Sequence, residues 1–563
     1  MNRKIAGSIA AAAVLGMGIA ACGSSGGSSS SAGKPLSIVT VGTGSMTDNF
    51  NPFNPNSIGY ITHSVNLYNE PLMVFNTQNT AEAPVPELAT NASWSNGGTT
   101  LTITTRAGMK WSDGKPFTSS DVAYTFNLLN SNKALDTNWS VPTPLTAKAT
   151  SATTTVLTFP QPELSSAYYI LQTPIVPEHI WTSAGDPTKY ADANPVSDGP
   201  FELDHFSSTG YTMKPNPDYY GKASIKVPEV SFPAYGSNTN LLPPCANGTI
   251  DWCGLSIFGV PQSYLAKSKD NHVWTANAPY FTSNNVVGLF FNTTKAPLND
   301  AAVRQAVSYA IDRQALATSG ESDSEPPASS TAGMILPAQQ SYLPSTLANN
   351  ISPNGDTAKA ASILTADGYK EVGGKWTKNG QQISFSITVP VSYSDYYADA
   401  QLLVKQLNAA GFNTTLDGVP GANGGTVWGQ NLEEGNFQAA IHWGDQGLTP
   451  YFTYNNWMNS ALSAPIGTET SNDFGRFSDP AAQQALTSYA TATTPAALSS
   501  AISSLANIEA TQVPVAPLMY GASWAEFSTR NYTGWPSKSN AYMDPGPNIP
   551  EVLVVVQNLK PVS

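Results

Sequence analysis

The sequence predicts an α/β protein of two or more lobes, and three observations carry that expectation. At 563 residues the chain is far too long for one hydrophobic core. Its body alternates period-two apolar segments with amphipathic helical ones. One stretch, Ile383 to Leu416, reads strand, helix, strand at the spacing of a crossover unit, which builds parallel sheet.

The elements follow in chain order. Arg3 and Lys4 form a basic head, Ile5 to Ala21 is an apolar run, and Gly18-Ile19-Ala20-Ala21-Cys22 closes it with small residues. That is the layout of a secretory signal, and the run is too short and Gly-rich to favour a permanent span. Because it ends on a cysteine, the site resembles the bacterial lipobox, in which the cysteine carries acyl chains that hold the protein to the membrane. An ordinary signal with an incidental cysteine is the alternative. Gly23 to Ser31 is nearly pure Gly and Ser, a flexible tether.

Leu101, Ile103 and Thr105 alternate with polar residues as a strand does. Thr118-Ser119-Ser120-Asp121 then opens a helix in capping-box style, with Val122, Phe126 and Leu129 on its inner face. Val286 to Phe291 reads as a buried strand. A helix is expected over Asp300 to Ala317, with Val303, Ala306, Val307, Ala310 and Ile311 as its stripe and Arg304, Ser308, Asp312 and Arg313 outside it. Glu321, Asp323 and Glu325 read as a solvated loop. Ile383, Phe385, Ile387 and Val389 alternate, a helix spans about Asp399 to Ala410, Gly411 stops it, and Phe412 to Leu416 is the next strand. Val515 to Tyr520 and Glu551 to Val556 read as strands.

Composition narrows the function. A net charge of -13 with only 12% charged residues leaves no basic stretch to neutralise phosphates, which excludes nucleic acid as a partner. With Cys22 set aside, Cys245 and Cys253 remain, flanking the turn-prone Ala246-Asn247-Gly248-Thr249. In an oxidising exterior they are expected to form a local disulfide, with two buried thiols as the alternative. His63, His179, His205, His272 and His442 lie in no metal-ligand spacing, and no G-x-S-x-G elbow occurs. An enzyme is therefore not expected, nor a metal or cofactor.

Three ordered blocks carry a family resemblance. The first is Arg106 to Val122 (RAGMKWSDGKPFTSSDV); the second is Asp198 to Leu203 with Asn216 to Gly221. The third is Asn292 to Asp300 with Val303 to Ala306 and Ala310 to Arg313. Together they resemble family 5 of the bacterial extracellular solute-binding proteins, which serve ABC importers of peptides, nickel and oligosaccharides. The likeness runs from about Pro35 to the C-terminus. It implies a two-lobed periplasmic-binding-protein-like fold of the cluster C type, acting as a monomer with an ABC permease. Mapped here, lobe I takes residues 35–67, 197–291 and 520–563, an inserted subdomain 68–196, and lobe II 292–519. The small hydrophilic ligand would sit between the lobes, sealed by hinge closure.

The ligand segment of the peptide-binding relatives corresponds to Ala440 to Tyr451, where Asp445 is present but no second acid precedes Pro450. That stretch, Tyr454 to Trp457, Leu241 to Trp252 and Asn531 to Pro536 are more similar to the cellobiose and oligosaccharide-binding branch. A neutral sugar needs aromatic platforms and uncharged amides. The resemblance thus points to Trp252, Trp428, Trp443, Tyr451, Trp457 and Trp524 as platforms, and to Asn51, Asn284 and Asn285 as amide donors. An oligopeptide or dipeptide receptor, using Asp445, is the alternative.

Overall fold

A computed structural model describes residues 33–562, apart from 41–43, 136–140, 143, 236–237, 422–423, 445–446 and 471. Cys22, its signal and the tether lie outside the described residues.

Three sheets organise the body. The first has seven strands in the order Asn271–His272, Glu526–Ser528, Trp252–Cys253, Leu36–Val39, Val230–Pro233, Gly210–Pro215, Phe201–Ser207. Leu36–Val39 runs parallel to both its neighbours. Behind this sheet pack Phe50, Tyr68, Trp252, Trp535 and the apolar face of the helix Val552–Asn558. That helix corrects the expected strand at Glu551 to Val556. The run of valines there suits either element, and its burial against one sheet face decides for the helix.

The second sheet has five strands, Asn413–Val419, Ser384–Pro390, Ala439–Trp443, Thr282–Phe291 and Val515–Ser523. Ser384–Pro390 is parallel to both Asn413–Val419 and Ala439–Trp443. The helix Ser394–Ala409 makes the crossover, ended at Gly411, whose φ of 92° suits glycine. A third, four-stranded antiparallel sheet combines Ala89–Ser95, Thr100–Thr105, Thr154–Thr158 and Thr146–Ser151. Helix Ser119–Ser131 covers it, closed by the expected capping box: Thr118 N–H donates to Asp121 at 2.8 Å and Ser120 N–H to Thr118 Oγ1 at 3.2 Å.

Thr282–Phe291 and Val515–Ser523 lie side by side, antiparallel, and both carry the chain between the first and second sheets. A polar clamp grips their outer ends. Gln78 accepts from the Thr282 hydroxyl and donates to Ser283 O at 3.3 Å and to Asp544 Oδ2 at 2.6 Å, while the Ser523 hydroxyl donates to Asp544 Oδ1.

The helix expected over Asp300 to Ala317 is shorter. Asp300 caps Ala301–Ala310, the chain breaks at Ile311, and Asp312 caps a new turn that continues as a π-helical turn, Leu316–Gly320. Arg304, Ser308 and Arg313, assigned to the outer face, are buried. The Arg304 guanidinium reaches Leu298 O at 2.8 Å and Gln512 O at 2.5 Å; Arg313 reaches Pro517 O at 2.7 Å and Ser308 O at 2.9 Å. Arg304 thus satisfies loop and helix-end carbonyls, and Arg313 a strand and a helix-end carbonyl.

Candidate functional site

A cleft of about 500 Å³ opens between the first and second sheets, within the size range of small-molecule sites. One wall comes from Thr239 and Leu242 on the helix Asn238–Ala246 and from Ser256, Ile257, Phe258 and Ser263. The other comes from Ser392 to Tyr396 and from Trp443. Ser392 to Tyr396 follows the carboxyl end of the strand Ser384–Pro390, and Trp443 is the carboxyl end of its parallel neighbour Ala439–Trp443. Open α/β sheets place their ligands outside the carboxyl ends of parallel strands for topological reasons.

Phe258 and Trp443 are 42% and 41% exposed, and facing ends of large rings in a cleft leave apolar surface for a ligand to cover. Tyr393 and Tyr396 flank Trp443, with ring centroids 6.5 and 6.3 Å from it. The Ser256 hydroxyl donates to Asp395 Oδ2 across the cleft at 3.1 Å, and the Tyr396 N–H donates to Asp395 Oδ1 at 2.9 Å. No lysine, arginine or histidine is among the lining residues. Burial, and then Asp395, pushes the Tyr393 phenol up, so it stays a neutral donor.

The first wall is braced covalently. Cys245 and Cys253 are disulfide-bonded, joining the end of the Leu242 helix to the strand that leads into Ser256 to Phe258. The Arg530 guanidinium donates to Asn247 O at 2.8 Å and closes the turn between the two cysteines.

Behind the second wall lies a group of acids. Glu321, Glu325 and Asp399, 3%, 2% and 0% exposed, correct the expectation of a solvated loop at the first two. Burial first, then their mutual repulsion and Asp395, pushes all three carboxyls up. Glu325 accepts from the Ala522 N–H at 2.9 Å. Gly320 leaves room for the group: a Cβ there would stand 1.7 Å from Asp399 Oδ1. The π-helical turn tucks these acids inward, which their polarity alone did not announce.

The expected site residues divide sharply. Trp443 lies in the cleft. Trp252 does not: it is fully buried, donates to Pro545 O at 2.9 Å and packs edge-on against Trp535. Asn51, also fully buried, donates to Pro187 O and Tyr190 O and holds a loop in place. Trp428 and Trp457 are buried in the second lobe's core. These four are corrected from cleft lining to core, because large rings and satisfied amides fill interiors more often than they wait for ligands. Asn284 and Asn285 sit on the crossing strand, bonded to each other at 2.8 Å. Trp524 packs edge-on against Phe281 and Tyr451 stacks on Tyr489, neither beside Trp443. Asp445 lies outside the described residues.

Phe258, Tyr393, Asp395 and Tyr396 were missed. The signal was available: Tyr393-Ser394-Asp395-Tyr396 directly follows a clean alternating strand that opens a crossover unit. Among the described residues no helix is long and apolar enough to cross a membrane, and no group of three or more His, Cys, Asp or Glu could hold a metal ion.

Comparison with known proteins bears on this arrangement. The profile of the bacterial extracellular solute-binding proteins, family 5 Middle, matches residues 83–464. The oligopeptide-binding protein OppA of Bacillus subtilis is 26% identical over 265 residues, 41% of this chain and 46% of its own. The chain thus spans about half the length of the curated relatives it matches. A periplasmic oligopeptide-binding protein of an ABC transporter from Thermotoga maritima superposes with a TM-score of 0.84 at 24% identity, over 94% of this chain and 99% of that one. Its mannohexaose-bound form superposes with a TM-score of 0.79 at 24% identity, over 94% and 99%.

Proposed function

The chain belongs to the bacterial extracellular solute-binding proteins of family 5, and on that premise we propose that it is the substrate-binding component of an ABC importer, capturing an oligosaccharide between its lobes. The observation that carries this reading is the cleft itself. Phe258, Tyr393, Tyr396 and Trp443 supply rings, serines supply hydroxyls, and no cation lines it. Sugar C–H faces stack on such rings while hydroxyls exchange hydrogen bonds with neutral donors. The mannohexaose held by the Thermotoga relative supports a chain of several sugars.

The lobes are the two sheets with their helices, the third sheet belongs to the inserted subdomain, and the paired crossing strands are the hinge. Ligand closes the cleft, and the closed form is what the permease reads. Cys22 carries the lipid, the Gly/Ser segment lets the monomeric body stand off the outer membrane face, and no cofactor takes part.

Isothermal titration of the body from Pro35 onward decides the ligand class. Cello-oligosaccharides or mannohexaose should bind and raise the melting temperature as ligand concentration exceeds Kd; binding of peptides alone would refute the sugar. The peptide reading has one observation of its own, the Asp395 carboxylate in the cleft. It requires that N-acetylation of the peptide or Asp395→Asn abolish binding.

A further inference from the structure

His442 touches no cleft space, yet it lies directly under the ring that does. It and Trp443 are neighbours on the strand Ala439–Trp443, and consecutive strand side chains ordinarily point to opposite faces. Here the two rings meet instead, centroids 4.3 Å apart and planes 24° apart. Trp428 closes a triangle, 5.2 Å from His442 at 19° and 6.0 Å from Trp443 at 43°. Phe290 and Phe474 present edges to His442, each at 5.3 Å. The imidazole is therefore held by four aromatic rings, while its Nδ1 meets Trp443 O.

We propose that His442 is a positioning residue that sets the pose of the Trp443 ring, making the cleft platform a three-ring wedge rather than one side chain. The contact fixes the tautomer: Nδ1–H donates to the Trp443 carbonyl and pins the turn where the strand ends. Burial lowers the imidazole to about 4, so at neutral pH it stacks as an uncharged ring. Trp428, buried on the core side, backs the wedge. With His442 gone, Trp443 loses its nearest ring contact and keeps only the more distant Trp428, Tyr393 and Tyr396, so the exposed indole would be free to tilt toward Trp428. The consequence for recognition rests on the reading that Trp443 meets the ligand.

The test uses the ligand-free protein first. Two indoles 6.0 Å apart couple electronically, so near- and far-UV circular dichroism should carry a tryptophan couplet. His442→Ala should weaken that couplet and red-shift Trp443 emission, with Trp443→Phe serving to assign both signals. His442→Phe, which restores a ring but not the N–H donor, should recover the couplet. His442→Asn, which keeps a donor without the ring, should not. A couplet unchanged in both His442→Ala and His442→Asn would overturn the proposal, as would one lost equally in His442→Phe. If His442→Ala unfolds, the Phe and Asn variants still decide. Oligosaccharide affinity is read separately: it should fall about threefold or more in His442→Ala and return in His442→Phe. An altered couplet with no oligosaccharide binding in any variant upholds the wedge and refutes the sugar reading instead.

Discussion

Glu551 tests how the buried acids set stability. It is 1% exposed, and its Oε1 accepts from the Thr77 hydroxyl at 2.7 Å and the Thr77 N–H at 3.2 Å; Oε2 has no partner. Burial, then Asp544, raises its carboxyl from 4.5 to about 7. The unfolded chain therefore releases this proton near pH 4.5 and the folded chain near 7. The group costs nothing below 4.5, progressively more as pH rises through 7, and a constant amount above. The gap from 4.5 to about 7 converts to about 3 kcal/mol. Glu551→Gln keeps the acceptor and removes the ionisation. Its unpaired amide adds a cost of its own, but one that does not vary with pH. For about 530 residues the unfolding entropy is about 1.1 kcal/mol per degree. From pH 5, where part of that cost is already present, to pH 8.5 the melting-temperature difference, variant minus parent, should thus rise by about 2 °C. Differential scanning calorimetry at the two pH values measures it. A flat difference would show that Glu551 ionises in the fold as it does in water, and a fall with pH that the fold favours its charged form; either refutes the reasoning.

Other expectations concern the site and its supports. Trp443→Ala should weaken oligosaccharide binding about two- to tenfold, the worth of one stacked ring at about 0.5–1.5 kcal/mol, measured by titration calorimetry. Replacing Cys245 and Cys253 by serine opens a loop of sequence separation 8. Chain entropy gives a loss of about 2.5 kcal/mol, readable as a lower urea midpoint that reductant no longer shifts. Gly320→Ala places a Cβ on Asp399 and should cost about 1–3 kcal/mol, seen as a lower denaturation midpoint with far-UV circular dichroism unchanged. The parent protein should also melt higher at pH 5.5 than at pH 8, since burial raises Asp192 to about 6 and Asp473 to about 8, and both then act in the same sense as Glu551.

The parts of the fold legible in the sequence were those where periodicity and burial agree. Ile383 to Leu416 announced its crossover because alternation, helix length and Gly411 all say the same thing. The capping box at Thr118 was legible because it is local. Where a residue's role depends on what packs against it, reading failed. Val552 to Val556 is apolar on every side, so period alone could not separate strand from helix. Arg304 and Arg313 look like surface charges until the carbonyls they serve are seen. Aromatic content pointed to ring platforms, and of those rings Trp443 lines the cleft while Trp252 and Trp457 went to the core. Tyr393 and Tyr396 could have been found from the alternating strand they follow, whereas Phe258 emerges only with the opposite wall of the cleft.

The side-by-side strands Thr282–Phe291 and Val515–Ser523 also decide how the molecule can be made to report on itself. On the hinge reading proposed above, the paired crossing strands favour a swing about their own line over a slide. A donor and acceptor dye, one beside Phe258 and one beside Val427, both exposed, would then follow a single distance as solute arrives. The Gln78 clamp grips only the outer ends of those strands, so loosening it would tune the sensor's range without entering the cleft.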